Sequence, residues 1–334
     1  MSLLRLASDH QHRLTVASER AARRVVRLWR SSPVAELDYR WDSVAIQVEQ
    51  VISRAQATAA RQADAYVTEA AREQGVSTPR TRVIPEAFTG VTREGREIAP
   101  ELYTAVSTTK TLVGRGMGIG QAFHAGAAYM YVMAASLVRD AGRSADRTAA
   151  VSRGARYSVR VVQEGACSRC AILAGVTGYR VDFQRHPGCR CTSMWLWDDE
   201  VPDGFYRDTA DYFESLTPSE QDRVFTKAGA EAIRHGANPI QVVNARRGAL
   251  TTLKRPDVPL SPARLLPKRV GTRADGSPIL VYATPEGTTA RSRWMGDSRY
   301  RRSSSVRLMP EQIMRMSTDP DRIRELLRQY GYLY

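Results

Sequence analysis

Apolar residues in the opening stretch of the chain fall at helical spacing. Leu14, Ala17, Ala21, Val25 and Leu28 recur at three- and four-residue steps, and Arg13, Arg20, Arg23, Arg24, Arg27 and Arg30 take the positions between them. This predicts an amphipathic helix from Leu4 to about Trp29 with one basic side. Pro33 stops it. Val44, Val48, Val51, Ile52 and Ala55 then open a second helical pattern that runs from Ser43 to Glu73. Two long helices joined by a short turn make a hairpin, residues 1–75; the pattern fits a solvated arm and a place in the core equally well.

Pro79, Pro85 and Gly90 mark 76–100 as a connection, after which Pro100 opens a further helix. Gly114, Gly116, Gly118 and Gly120 read as a helix break, because their spacing does not match a dinucleotide-binding turn and no strand precedes them. The apolar run from Ala125 to Val138 is too short to span a bilayer and fits a buried helix, with His124 beside it as a satisfied core residue. Ser144 to Glu164 continues in helical pattern. Val176–Val181 and Thr192–Trp197 have turn and strand character, completing a central unit over 101–215.

Thr217, Pro218 and Glu220 form a capping-box signature for a helix that ends at Gly236, and Asn238-Pro239 restarts a shorter one, giving a helical extension over 216–250. Pro256, Pro259, Pro262 and Pro267 stiffen a linker over 251–270. The tail, 271–334, carries a hairpin signal at Asp275-Gly276, a basic stretch and a last helix from about Pro310 to Tyr330. The fold class is therefore mainly α: a helical N-terminal hairpin and helical core, a small β-containing cysteine-rich module, and an extended C-terminal tail ending in a helix.

Charge adds a partner class. The 334 residues carry a formal net charge of +14, a field that attracts polyanions: nucleic acid, an acidic protein surface or anionic lipid. Arg291, Arg293, Arg299, Arg301, Arg302 and Arg307 face a single acid, Asp297, and are interleaved with Trp294 and Tyr300. That stretch is the candidate polyphosphate contact, and a solvated basic loop is the alternative reading. No segment has the pattern of a secretory signal or a membrane span, so the expectation is assembly in a reducing cytoplasm.

All four cysteines fall within 25 residues, as Cys167-Ser168-Arg169-Cys170 and then His186-Pro187-Gly188-Cys189-Arg190-Cys191. Two soft ligands, a loop and two more soft ligands beside a histidine suit one tetrahedral zinc ion. Cys167 and Cys170 supply two ligands; Cys189 and Cys191 supply the others, with His186 as the substitute if the tight Cys-Arg-Cys spacing lets only one thiolate reach. Saturation by protein ligands favours a structural zinc over a catalytic one. Disulfides and unmetallated core thiols are the competing readings. No deaminase signature, Gly-x-Ser-x-Gly elbow, phosphate-cradling loop or His-Glu-x-x-His helix is present, and the expectation is a protein that is not an enzyme.

The segment from Cys167 to Thr192 resembles the MuF-like minor head proteins of tailed bacteriophages, in which a Cys-x-x-Cys pair and a His-Pro-x-Cys-Arg-Cys segment close the head morphogenesis domain. Leu216–Gly248 and Arg307–Leu333 look like the versions carried by phages of actinobacteria. The resemblance covers roughly residues 100 to 250 plus the tail. It implies that 101–215 is a head morphogenesis domain and that the chain is a structural minor capsid protein, present in few copies in the virion at the portal vertex or inside the head. The implied partners are the portal protein and the major capsid protein, with packaged double-stranded DNA as a non-specific one and no membrane. Some relatives are fused to a maturation protease or a toxin; Ser107-Thr108-Thr109 is similar to part of an ADP-ribosyltransferase site, but the Glu-x-Glu partner is missing. A capsid protease or toxin-type enzyme, and a cellular zinc-containing nucleic-acid-binding protein, are the alternative functions.

Overall fold

The computed structural model describes residues 2–31, 37–162, 166–177, 183–245, 267–272, 278–282, 289–290, 301–302 and 308–333. The chain divides into two compact units, one of Met1–Glu164 with Leu173–Asp208 and one of Gly165–Ile172 with Thr209–Tyr334. The described residues are mainly helical, with one three-stranded sheet and short paired strands near the C-terminus.

In the first unit α1 (Leu3–Arg30), α2 (Leu37–Ala60), α3 (Ala63–Glu73) and α4 (Ala99–Gly114) all pack against α5 (Ile119–Ser152). The basic side of α1 is solvated while Leu6, Leu14, Ala21, Val25 and Trp29 are buried, so the opening helices belong to the core and not to an arm. Burial of that apolar face, at roughly 1.5–3 kcal/mol per large side chain, drives the association. Alanines line α5 and keep its neighbours close: Ala127, Ala134, Ala135, Ala145 and Ala149 are all buried. At Gly126 even a methyl group would collide with Thr109 Oγ1 and the Trp29 ring, so the largest side chain of α1 seats on a helix position that tolerates no side chain.

In this unit two boundaries and the setting of one residue depart from the sequence expectations. The second helix is interrupted at Arg61–Gln62, giving α2 and α3. Residues Ser144–Glu164 are not all helix: α5 ends at Ser152, Gly154 adopts a φ of 86°, and β1 (Tyr157–Val161) follows. The left-handed glycine closes the helix, and the aromatic and β-branched run after it is better satisfied by pairing on both edges than by continuing a helix. β1 is the central strand, antiparallel to β2 (Val176–Thr177) on one side and β3 (Thr192–Leu196) on the other, with Val159 opposite Met194. All five residues of β3 are buried, and Trp195 joins Tyr66 of α3 in a second apolar cluster. His124 is the third departure. It is exposed near the start of α5 and its Nδ1 bonds the Gly120 carbonyl at 2.8 Å, because the turn residues around it are solvated.

The second unit holds α6 (Ser168–Ala171), α7 (Thr209–Ser215), α8 (Pro218–Phe225), α9 (Lys227–Arg234), α10 (239–245), α11 (Pro310–Met316) and α12 (Pro320–Gln329). The capping box is formed as expected: Thr217 Oγ1 accepts from Glu220 N, and the Glu220 carboxylate accepts from Thr217 N at 2.9 Å. The helix it starts is broken at Thr226, which takes a φ of 64°, before α9 resumes. Asn238 Oδ1 caps α10 by accepting from Ile240 N at 2.9 Å. The terminal helix is tied in by Tyr332, whose hydroxyl donates to Leu308 O at 2.8 Å and whose carbonyl accepts from Asn238 N at 2.7 Å. β4 (Pro267–Thr272) pairs antiparallel with β5 (Pro278–Tyr282), and β6 (Thr289–Ala290) with β7 (Arg301–Arg302). Most of the proline-rich linker expected over 251–270 lies outside the described residues.

Candidate metal centre

Each cysteine pair is set in a hydrogen-bonded turn. Cys167 is the N-cap of α6, and its carbonyl accepts from Cys170 N at 2.9 Å and Ala171 N at 3.0 Å, which points the first pair's side chains from one turn of chain. In the second half, His186 O accepts from Cys189 N at 3.0 Å across Pro187 and Gly188. Proline followed by a glycine at φ 79° is the pattern of a type II turn, and only the glycine makes it strainless. Gly188 N donates to Ser136 Oγ of α5 at 2.9 Å, anchoring the turn. Cys191 then leads directly into β3, so the thiolate positions follow from the sheet and from α5.

These turns bring the donors together. The ligand atoms of Cys167, Cys170 and His186 lie within 4.8 Å of one another, as do those of Cys170, Cys189 and Cys191. Cys170 belongs to both groups, so the expected five donors form one cluster with Cys170 at its pivot. Cys170, Cys189 and Cys191 are buried, Cys167 is exposed, His186 is half-buried, and no disulfide joins any of the four thiols. His186 Nδ1 lies 2.8 Å from the Pro187 carbonyl. A carbonyl only accepts, so Nδ1 carries a proton there, and Nε2 is the nitrogen that the neutral ring would offer a metal. Sulfur and imidazole without a carboxylate in the set is the chemistry of zinc or another thiophilic ion. The cluster could hold a metal ion.

The surroundings are cationic. Arg143, buried, donates from Nη2 to Cys189 O at 2.7 Å and from Nε to Cys191 O at 2.9 Å, and pairs with Asp140 at 2.9 Å; Asp140 also accepts from Arg185. Arg160, at the centre of the sheet, donates from Nη1 to Gln184 O at 2.8 Å and approaches Cys189 Sγ to 3.4 Å from Nη2. Arg139 is buried one turn from Arg143 and donates to Ser18 Oγ at 3.0 Å. Burial, followed by the repulsion of Arg143 and Arg190, lowers its pKa to about 10, with Asp140 and Cys189 pulling the other way. It remains a cation at neutral pH. A cavity of about 320 Å³ borders the second half-site, lined by Tyr129, Val132, Met133, Arg185, His186 and Cys189 among others.

Sequence reasoning found the five donors and missed Arg139, Arg143 and Arg160. The signal available was faint: two arginines four apart within an alanine-rich helix, and one between Val159 and Val161 in a run that reads as strand. Of the arginines expected to meet nucleic acid, Arg291, Arg293, Arg299 and Arg307 lie outside the described residues, and Arg301 and Arg302 form β7. Among the described residues no helix is long and apolar enough to cross a membrane. No family model, no curated protein and no solved structure matches the chain.

Proposed function

We propose that this chain is a structural minor capsid protein of a tailed phage, that it acts in head assembly at or near the portal vertex, and that its cysteine segment is a structural zinc centre. The observation that carries the reading is the Cys-x-x-Cys and His-Pro-Gly-Cys-Arg-Cys segment, whose resemblance to the MuF-like head proteins extends over donor types, spacing, proline and arginine. The clustering of those five donors agrees with an architectural use, since an ion bound only by the folded chain stabilises the fold. A net charge of +14 suits a place beside packaged DNA, where lysine and arginine replace condensed counterions.

The test is biochemical fractionation of phage particles. The protein is expected in procapsids and in virions at low copy number, co-purifying with the portal protein; absence from both particles would overturn the proposal. Purified protein incubated with major capsid protein is expected to leave it uncut. Specific cleavage, lost on one point substitution, would favour the protease reading instead.

A further inference from the structure

The second ligand pair sits between two buried guanidiniums that share one aromatic ring. Phe183, 3% exposed, has the Arg160 guanidinium 4.4 Å from its centroid and that of Arg143 at 5.5 Å. The two arginines reach Cys189 by different routes. Arg143 grips the backbone, taking the carbonyls of both Cys189 and Cys191 and so fixing the spacing of the Cys-Arg-Cys turn. Arg160 reaches the sulfur itself, with Nη2 3.4 Å from Sγ, and is held in that pose by its bond to Gln184 O and by the Phe183 face.

Arg143 already has Asp140 beside it at 2.9 Å, and a buried guanidinium next to a sulfur is favoured further when that sulfur carries negative charge. A divalent ion bound by thiolates delivers it: with four thiolates the centre is a dianion, and with three and an imidazole a monoanion. An N–H donated to a bound thiolate draws charge off the sulfur and orients its lone pairs, as outer partners of metal ligands do generally. Arg160 lies on β1 and Arg143 on α5, so the centre is framed by the two elements that make the core.

We infer that Arg160 and Arg143 are positioning residues of the metal centre, Arg160 donating to the Cys189 thiolate and offsetting its charge, Arg143 setting the geometry of the Cys-Arg-Cys turn. This rests on the zinc reading above. Neither residue belongs to the donor set.

The experiment uses the full-length chain, stripped of metal under reducing conditions, titrated with cobalt(II) and then with zinc against a chromophoric chelator. Wild type is expected to show a sulfur-to-cobalt charge-transfer band. Arg160→Gln and Arg160→Met should bind zinc about 10- to 100-fold more weakly and shift that band; Arg160→Lys should recover most of the affinity, since the cation returns, without restoring the band position. Arg143→Lys should weaken binding and alter the cobalt ligand-field bands, which report geometry. Far-UV circular dichroism checks folding, and if the methionine variant does not fold, the glutamine and lysine variants decide. Folded Arg160 variants with wild-type affinity and an unchanged band overturn the inference while leaving the zinc reading intact. A wild-type chain with no cobalt band removes both.

Discussion

Around α5 the chain buries alanine, valine and tryptophan against one another; around Cys189 it buries arginine, sulfur and backbone carbonyl. The first region is complete by itself. Trp29 is fully buried, stacks on Phe123 at 5.2 Å, meets Trp41 edge-on at 6.0 Å and fills the space that Gly126 leaves open. The second region has cations in place around a donor cluster that could hold an ion. One is held by close packing and the other, on the proposed reading, by a bound ion, and the difference should be visible in which perturbations respond to zinc.

Trp29→Ala is expected to have the largest effect, a loss of about 3–5 kcal/mol in denaturant unfolding, equal with zinc and with chelator because the cavity it opens is remote from the donors. A loss that depended on zinc would merge the two regions. Next comes the metal itself: free zinc at one hundred times its Kd should stabilise the wild type by about 2.7 kcal/mol in thermal or chemical melts, and Cys189→Ser should abolish the increment. Arg139→Met should act in the opposite direction, raising the stability of the metal-free protein by about 1–2 kcal/mol, because a buried cation beside Arg143 is removed. The pKa of Arg139 is depressed in the fold, so its cost is present below about 10 and is relieved as pH rises from there towards the unfolded value; the variant's advantage should shrink over that interval. It should also shrink when zinc is bound, since the thiolates then supply the missing charge.

The smallest effect lies in the second unit. Thr217→Ala should cost about 1 kcal/mol, the ordinary worth of a helix cap, read by the midpoint shift in urea. Glu220 is held below its ordinary value by the Thr217 hydroxyl and backbone N–H. A depressed carboxylate contributes above its unfolded pKa and loses that contribution as pH falls through its folded one. Wild type and variant should therefore converge in acid, and zinc should leave the difference unchanged.

What could be read from the sequence follows the same division. The amphipathic face of α1, the apolar run within α5 and the capping box at Thr217 were legible because each is a local pattern whose period or spacing survives in isolation. β1 was not, because Tyr157–Val161 follows a long helix without a change of polarity; only Gly154 marks the stop. The break at Thr226 carries no local signal at all, since a non-glycine residue at φ 64° is held there by its surroundings. The five donors were legible from spacing and type. Their arginine setting was not: an arginine reads as surface until the fold shows that it is buried, and that depends on α5, β1 and the cysteine turns meeting in three dimensions.

The central claim, that the cysteine segment is a sulfur-ligated structural metal centre, is tested most directly by X-ray absorption at the zinc edge on the purified full-length protein. The expected result is one tightly held zinc per chain with a first shell dominated by sulfur at about 2.3 Å. A chain that retains no stoichiometric metal, or a shell of oxygen and nitrogen without sulfur, would contradict it.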